Sequence, residues 1–312
     1  MIISWNVNQF LGTHEWTEFD PKTLSEEGKS DKEIREKLEE KKAIQDSCST
    51  AIKCFIKRHL VNKQDLIILH EVPDVIAMEM KGDGINKWLN VDEKAIIKYE
   101  CLLPYSTAIS PNFHTLAIFM KGKYEYNETY TNYVPTKFAY KGSGFRNRII
   151  ALNPKNKKSP IICGVHVCSD KNESPVYFES LIGLHNKFTE NKATKIYYIG
   201  DFNAFIPNII NKRKMHDFMA LGLEDYWLAS GKSNNSPTHL EGARLDYVLT
   251  YNKSQFKNLG AYRNYFNTYE MIVDPENIVE MSKKSEPLLS DHSAIIIGTP
   301  TELKPFRKGD KK

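Results

Sequence analysis

In the stretch Tyr197-Tyr198-Ile199-Gly200-Asp201-Phe202-Asn203-Ala204, an apolar run rich in aromatic and β-branched residues stops at a glycine, and a carboxylate and a carboxamide follow two residues apart. Such a run is a buried strand that delivers polar groups at its end. Gly, Asp and Asn are also common turn formers, so the octet alone leaves an ordinary strand-to-turn junction open. What constrains the fold is that the design recurs. Ile2 to Val7 is a short apolar run tipped by Asn6, Asn8 and Gln9, Asp65 to Glu71 is a buried strand ending in His70 and Glu71, and Ile161 to Val167 carries His166 near its C-terminal end. Arg244-Leu245-Asp246-Tyr247-Val248-Leu249 places an aspartate at a strand's start, and Leu289-Ser290-Asp291-His292-Ser293 leads into the apolar strand Ala294 to Gly298. A carboxylate at the end of an all-apolar strand is costly inside a fold unless it is solvated, paired or bound to metal.

Between these strands lie helical patterns. Ile34, Leu38, Ile44, Cys48, Ala51, Ile52, Phe55, Ile56 and Leu60 fall near i, i+3/i+4 spacing, which predicts a long amphipathic helix over Asp31 to Leu60. Its first half is the more charged and is expected to project from the body before the second half packs down. Ser174 to Asn191 and Met215 to Leu221 read as helices, and Val75 to Asn90 as helical in part, broken at Gly82-Asp83-Gly84. Leu116 to Met120 and Ile149 to Leu152 read as strands, and the tyrosine-rich Tyr124 to Tyr140 as an edge hairpin or loop. The Gly-rich turn Lys141 to Arg148 brings Arg146 and Arg148, whose guanidinium groups fork well onto phosphate oxygens, although the spacing is not that of a P-loop.

A length of 312 residues with 41% hydrophobic content supports a substantial core, and a net charge of +4 tolerates a polyanionic substrate without requiring one. The five cysteines are scattered, lack zinc-site spacing and read as reduced thiols. No N-terminal apolar leader and no run of membrane-spanning length is present, so a soluble, cytoplasmic protein is expected. Residues 1–300 read as one domain with a helical insertion at about 11–60, and 301–312 as a basic tail.

The strand-tip set mixes carboxylates, amides and two histidines, with no nucleophile elbow and no Cys/His cage. Oxygen ligands of this kind suit Mg²⁺ or Mn²⁺. The chemistry they support best is hydrolysis at phosphorus, with a hard cation on a non-bridging oxygen, an aspartate activating water, and imidazole and amides stabilising added negative charge.

WNVN near the start, a strand ending in HE, GVHVCSD, IGDFNA, RLDYVL and SDHSAI stand in the order seen in the endonuclease/exonuclease/phosphatase superfamily, which the chain resembles over nearly its whole length. The resemblance implies a four-layer α/β sandwich, two mixed sheets packed face to face with helices outside and the motif strands meeting at one end. It implies roles as well. Glu71 resembles the main Mg²⁺ ligand, with Asn6 and Asn8 beside it and Asp291 as a nearby carboxylate; in this reading Asn8, Glu71 and Asp291 serve the metal. Asp201 resembles the residue that orients or deprotonates the attacking water, and Asn203 one that holds a phosphate oxygen. His292, steered by Asp246, would contact the scissile phosphate, while Asn6, Arg146 and Arg148 would bind substrate. A lone strand histidine is more often a core residue, yet His166 matches a position near the leaving group where deoxyribonuclease-like members carry histidine and abasic-site endonucleases tyrosine.

The expected activity is a Mg²⁺-dependent phosphodiesterase acting on nucleic acid, DNA first. The alternative within the same fold is a phosphoesterase of phosphoinositides, sphingomyelin-like lipids or other small phosphate esters, and a third reading is a binding protein that keeps the scaffold. The long helix exceeds what compact members carry and suits a cover for the site or a surface for a protein partner. The segment Cys168-Ser169-Asp170 does not match the pattern expected of inositol phosphatases.

Overall fold

Leu66 to Leu69 is apolar at every position because its strand is covered on both faces. A computed structural model describes residues 1–12, 14–63, 65–105, 112–138, 144–155, 160–204, 208–229, 238–239, 243–252, 266–268, 290–292 and 294–297. The strands are β1 (Ile2–Asn6), β2 (Leu66–Pro73), β3 (Tyr99–Leu102), β4 (Phe113–Met120), β5 (Tyr124–Tyr126), β6 (Ile149–Pro154), β7 (Ile161–His166), β8 (Lys195–Asp201), β9 (Leu223–Asp225), β10 (Asp246–Asn252), β11 (Phe266–Thr268) and β12 (Ile295–Ile297). They form two six-stranded sheets, ordered β11-β12-β1-β2-β4-β3 and β5-β6-β7-β8-β10-β9. Each is mixed: β1 runs parallel to β2, and β7 to β8, while their other neighbours are antiparallel.

The helices are α1 (Pro21–Glu26), α2 (Asp31–His59), α3 (Asp74–Met80), α4 (Gly84–Trp88), α5 (Glu128–Lys137), α6 (Ser174–Glu190), α7 (Ile209–Met219) and α8 (Tyr226–Ala229). Burial sorts the side chains into layers. Leu66 and Ile68 of β2 pack against Ile150, Leu152, Ile162, Ile199 and Val248 between the sheets. The alternate residues Ile67 and Leu69 face outward onto Ile52, Phe55 and Ile56 of α2. On the far side, Tyr198 and Ile196 of β8 meet Phe178 and Leu181 of α6. The result is a sandwich of two facing sheets with helices outside, as the resemblance implies. No helix among the described residues is long and apolar enough to cross a membrane.

Helix α2 has the expected bounds, started by Ser30 and Glu33 in a capping box. Its buried residues begin only at Cys48, yet the charged first half does not project freely, since Lys37 Nζ lies over the buried Phe19 ring, 5.6 Å from its centroid. Two other local expectations change. The tyrosine-rich stretch forms only the short strand β5 before α5, because Asn127 caps the helix by accepting the Tyr130 N–H at 3.0 Å, and Tyr130 and Val134 bury themselves one turn apart. Helix α7 starts at Ile209, six residues ahead of Met215, where Asn208 accepts the Asn211 N–H. All five cysteines are free thiols. Gln64, Lys141 to Ser143, Leu289, Ser293, Gly298 and the expected tail 301–312 lie outside the described residues.

Gly200 closes β8 at φ +143°, and a Cβ there would lie 2.1 Å from the Val165 carbonyl and 2.7 Å from His70 Nε2. The first is backbone of β7, and the second is a ring pinned between Ser4 Oγ and Thr115 Oγ1. Gly200→Ala should therefore destabilise the chain by about 2–3 kcal/mol, read as a fall in urea midpoint at unchanged slope; an unchanged midpoint would show that β7 and the His70 ring give way here.

Candidate active site

Register brings the polar strand tips together. In parallel β7 and β8, His166 pairs with Asp201, and in antiparallel β8 and β10, Asp201 pairs with Asp246. One sheet therefore presents three of the candidates side by side. The other sheet answers with Asn6 at the end of β1, level with His70 of β2. Asn6 crosses between the sheets: its Nδ2 donates to Asp201 Oδ2 at 3.2 Å while its Oδ1 accepts the Asn8 N–H at 3.0 Å, which fixes the orientation of the amide. The segment carrying Asp291 and His292 is tied across β1, since Trp5 Nε1 donates to the His292 carbonyl at 3.1 Å and Ser290 Oγ to the Asn6 carbonyl at 2.7 Å.

At the centre, Asp201 is 1% exposed. Its Oδ1 accepts the Asn203 N–H at 2.8 Å, and Oδ2 accepts the side-chain amides of Asn6 and Asn203. Burial, helped by the charges of Asp246 and Glu71, pushes this carboxyl up to about 7 against the pull of His292 and the Asn203 N–H. His292 is raised as well, which for an imidazole favours the charged form. Burial alone would lower it, but the Nδ1 bond to Asp246 Oδ2 at 2.8 Å, with the charges of Asp246, Asp201 and Asp291, raises it to about 10. The imidazolium thus keeps one face on Asp246 and turns Nε2 toward Asp201 Oδ2, 3.9 Å away. Asp246 is itself set by Thr238, whose Oγ1 accepts the Asp246 N–H at 3.0 Å.

Glu71 sits where the pairing of β2 with β4 slips between Leu69 and Val72, at φ +55°. This bulge turns the carboxylate to the half-buried rim, where burial and then Asp291 raise it while His292 and Arg148 lower it. Its Oε1 lies 3.2 Å from His166 Nε2. His166 is held neutral, chiefly by burial and then by the neighbouring Arg148, His70 and His292. Its Nε2 faces Glu71, and Arg148 Nη1 lies against the ring, 3.3 Å from Nδ1 and 3.2 Å from Nε2. Arg148 also lies over the Phe113 ring, 4.7 Å from its centroid. Of the described non-glycine residues with positive φ, Asn8, Gln9, Phe10, Glu71 and Asn203 all belong to this pole, and Asn90 and Lys192 lie elsewhere. Strained backbone gathers where side chains must be aimed, as at functional sites generally.

The structure thus joins Asn6, Glu71, Arg148, His166, Asp201, Asn203, Asp246, Asp291 and His292 in one cluster. Asn8 is in the loop after β1, and its NH₂ is spent on the Gly12 and His14 carbonyls at 3.0 and 3.1 Å. Asn203 likewise spends its NH₂ on Asp201 and the Val167 carbonyl. Arg146 lies half-buried in the 3₁₀ turn that carries Arg148. Reading the sequence missed two contributors and left a third without a role. Thr238 and His239 come from a stretch with no periodicity, and His70, visible at a strand end, turns out to be buried between Ser4 Oγ and Thr115 Oγ1 at 2.9 and 3.0 Å. Burial drives His70 down to about 3, so it is a neutral strut beneath the site.

No protein-family model and no curated protein matches the sequence. Solved structures do match. TDP2 from D. rerio complexed with single-strand DNA product superposes with a TM-score of 0.53 at 14% identity, covering 95% of this chain and 96% of that one. The 3′ phosphatase NExo from Neisseria, bound to a product DNA hairpin, gives 0.51 at 12% identity over 96% and 98%. An endonuclease/exonuclease/phosphatase family protein from Bacteroides thetaiotaomicron gives 0.51 at 12% over 95% of each chain. With two mixed sheets face to face and helices outside, this chain has the fold of the endonuclease/exonuclease/phosphatase superfamily.

Proposed function

We propose that the chain is a divalent-metal-dependent phosphodiesterase that hydrolyses nucleic acid, with DNA as its first substrate class. The observation that carries this reading is the Asp246–His292–Asp201–Asn6 chain of contacts, which bridges both sheets and ends beside the half-buried Glu71. A cationic imidazole with one nitrogen fixed on a buried carboxylate is suited to stabilising charge on a phosphate. Asp201, accepting three N–H donors, is aimed to orient water and take its proton once ionised. Asn203 would keep that carboxylate in place, and Arg148 would meet substrate phosphate at the rim. His166, neutral and with Nε2 3.2 Å from Glu71 Oε1, is placed to serve the leaving-group side. Two solved proteins of this fold hold DNA products, which supports nucleic acid as the substrate.

A divalent cation fits the donor set. Glu71 and Asp291 are close enough that the charge of Asp291 raises Glu71, and a hard cation would relieve that repulsion. These two carboxylates would hold Mg²⁺ or Mn²⁺, with Asn8 Oδ1 as the remaining expected donor. When bound, the ion would supply positive charge to a non-bridging phosphate oxygen. Glu71→Ala should raise the Mg²⁺ concentration for half-maximal turnover by about tenfold or more without altering the circular dichroism spectrum; unaltered metal dependence would remove Glu71 from the ligand set.

The test of the substrate class is a panel with Mg²⁺: supercoiled, linear and single-stranded DNA, RNA, a phosphoinositide and sphingomyelin. Cleavage of a nucleic acid that stops in EDTA is the expected result. Turnover confined to the lipid arms, or none at all, would overturn the nucleic-acid reading.

A further inference from the structure

His239 stands against the metal-facing carboxylate. Its Nε2 lies 3.4 Å from Asp291 Oδ2, and its ring meets the His292 ring edge-on with centroids 4.8 Å apart. His239, Asp291 and His292 can each place one ligand atom within 4.8 Å of the others. The spacing to Asp291 is informative. A charge-assisted N–H to carboxylate bond closes to about 2.7–2.9 Å, as the His292–Asp246 pair does at 2.8 Å and the His114–Asp74 pair at 2.6 Å. Two atoms that each sit about 2.1–2.2 Å from one ion, at angles between about 90° and 110°, lie about 3.0–3.5 Å apart. The His239–Asp291 separation falls within that range, so the two atoms, which meet as a hydrogen bond in the absence of an ion, are also spaced to flank one.

The backbone holds this geometry ready. The N–H groups of Thr238 and His239 both donate to the Ala243 carbonyl, at 2.9 and 3.0 Å, and His239 forms an antiparallel bridge with His292. Thr238 Oγ1 accepts from Leu245 and Asp246, which ties the pair to the start of β10. The two side chains are 15% and 25% exposed, open enough for an ion to reach. His292 is the other nitrogen nearby, but its Nδ1 is on Asp246 and its Nε2 faces Asp201 and Asn6.

We infer that His239 is a metal ligand, forming with Asp291 a nitrogen-oxygen pair that makes the site prefer a transition ion such as Mn²⁺ over Mg²⁺. An imidazole donor adds affinity for borderline transition ions and little for Mg²⁺, which prefers oxygen alone. The inference rests on the metal-dependent reading above, but the two fail separately, because metal ligation is read spectroscopically without substrate.

The experiment is pulsed electron paramagnetic resonance of Mn²⁺ bound to the full chain, with calorimetric titrations of Mn²⁺ and Mg²⁺. The wild type should show ¹⁴N modulation that changes to the ¹⁵N pattern when histidine is ¹⁵N-labelled. His239→Gln keeps a hydrogen-bonding amide beside Asp291 and should lose the nitrogen signal, with Mn²⁺ affinity falling about 10- to 100-fold and Mg²⁺ affinity falling much less. Labelling the wild type keeps the test valid should the variant fold poorly. Absence of Mn²⁺ binding, absence of histidine nitrogen coupling in the wild type, or its persistence in His239→Gln would overturn the inference.

Discussion

Asp201→Asn is expected to lower phosphodiester turnover by at least about 10³-fold, a loss of about 4 kcal/mol of transition-state stabilisation. The carboxylate is the group that meets both imidazoles, at 3.8 Å from His166 Nε2 and 3.9 Å from His292 Nε2. An amide has the same shape but cannot accept the proton of an attacking water. It would also turn an NH₂ toward the amides of Asn6 and Asn203, which now donate to Oδ2. Relief of a buried charge offsets part of that loss, so stability should change by no more than about 1–2 kcal/mol. A variant that is folded by circular dichroism and retains turnover would remove Asp201 from the chemistry.

Asp246→Asn should cost about 10³–10⁴-fold in kcat, the scale seen when a carboxylate that fixes a catalytic imidazole becomes an amide. It should also move the pH profile. Because His292 is raised to about 10, its cationic form is present below that value and is lost as pH rises through it. The wild type should therefore lose activity in an alkaline limb near 10, and Asp246→Asn should bring that limb down toward the ordinary histidine range. The stability contributed by the ion pair follows the same sign, complete below about 6.5 and lost as pH rises through the folded value. Asp201 should set the acid limb: raised to about 7, it is mostly ionised only above that pH, so turnover is expected to rise through neutrality. Between the unfolded and folded values of Asp201 the native state binds more protons, and stability from this group falls as pH rises. Both limbs belong to the coupled cluster as a whole. An alkaline limb left in place in Asp246→Asn would show that another group controls it.

Much of this was legible because the code was local. Apolar strands carry Asn6, Glu71, His166 and Asp201 at or near their tips, and register then did the gathering, with Asp201 opposite both His166 and Asp246. The long helix α2 was legible from its 3.6-residue period and its Ser30 cap. What stayed hidden depends on contacts distant in sequence. Nothing near His239 signals that it bridges to His292, 53 positions later in the sequence. The short edge strands β3 and β9 carry too few residues for a period to show. The positive φ at Glu71 is set by a slip in pairing with β4, more than 40 residues further along, and the spending of the Asn8 and Asn203 amides on nearby carbonyls is a property of loop geometry that residue type alone does not dictate.

The central claim, hydrolysis at phosphorus by water that Asp201 activates, is tested most directly by running the reaction in ¹⁸O-enriched water and analysing the product by mass spectrometry. The account predicts one ¹⁸O on the phosphate-bearing product for each ester cleaved, formation that stops in EDTA, and no product above background from Asp201→Asn. Label appearing on the alcohol product instead, or cleavage that continues in EDTA or in Asp201→Asn, would contradict it.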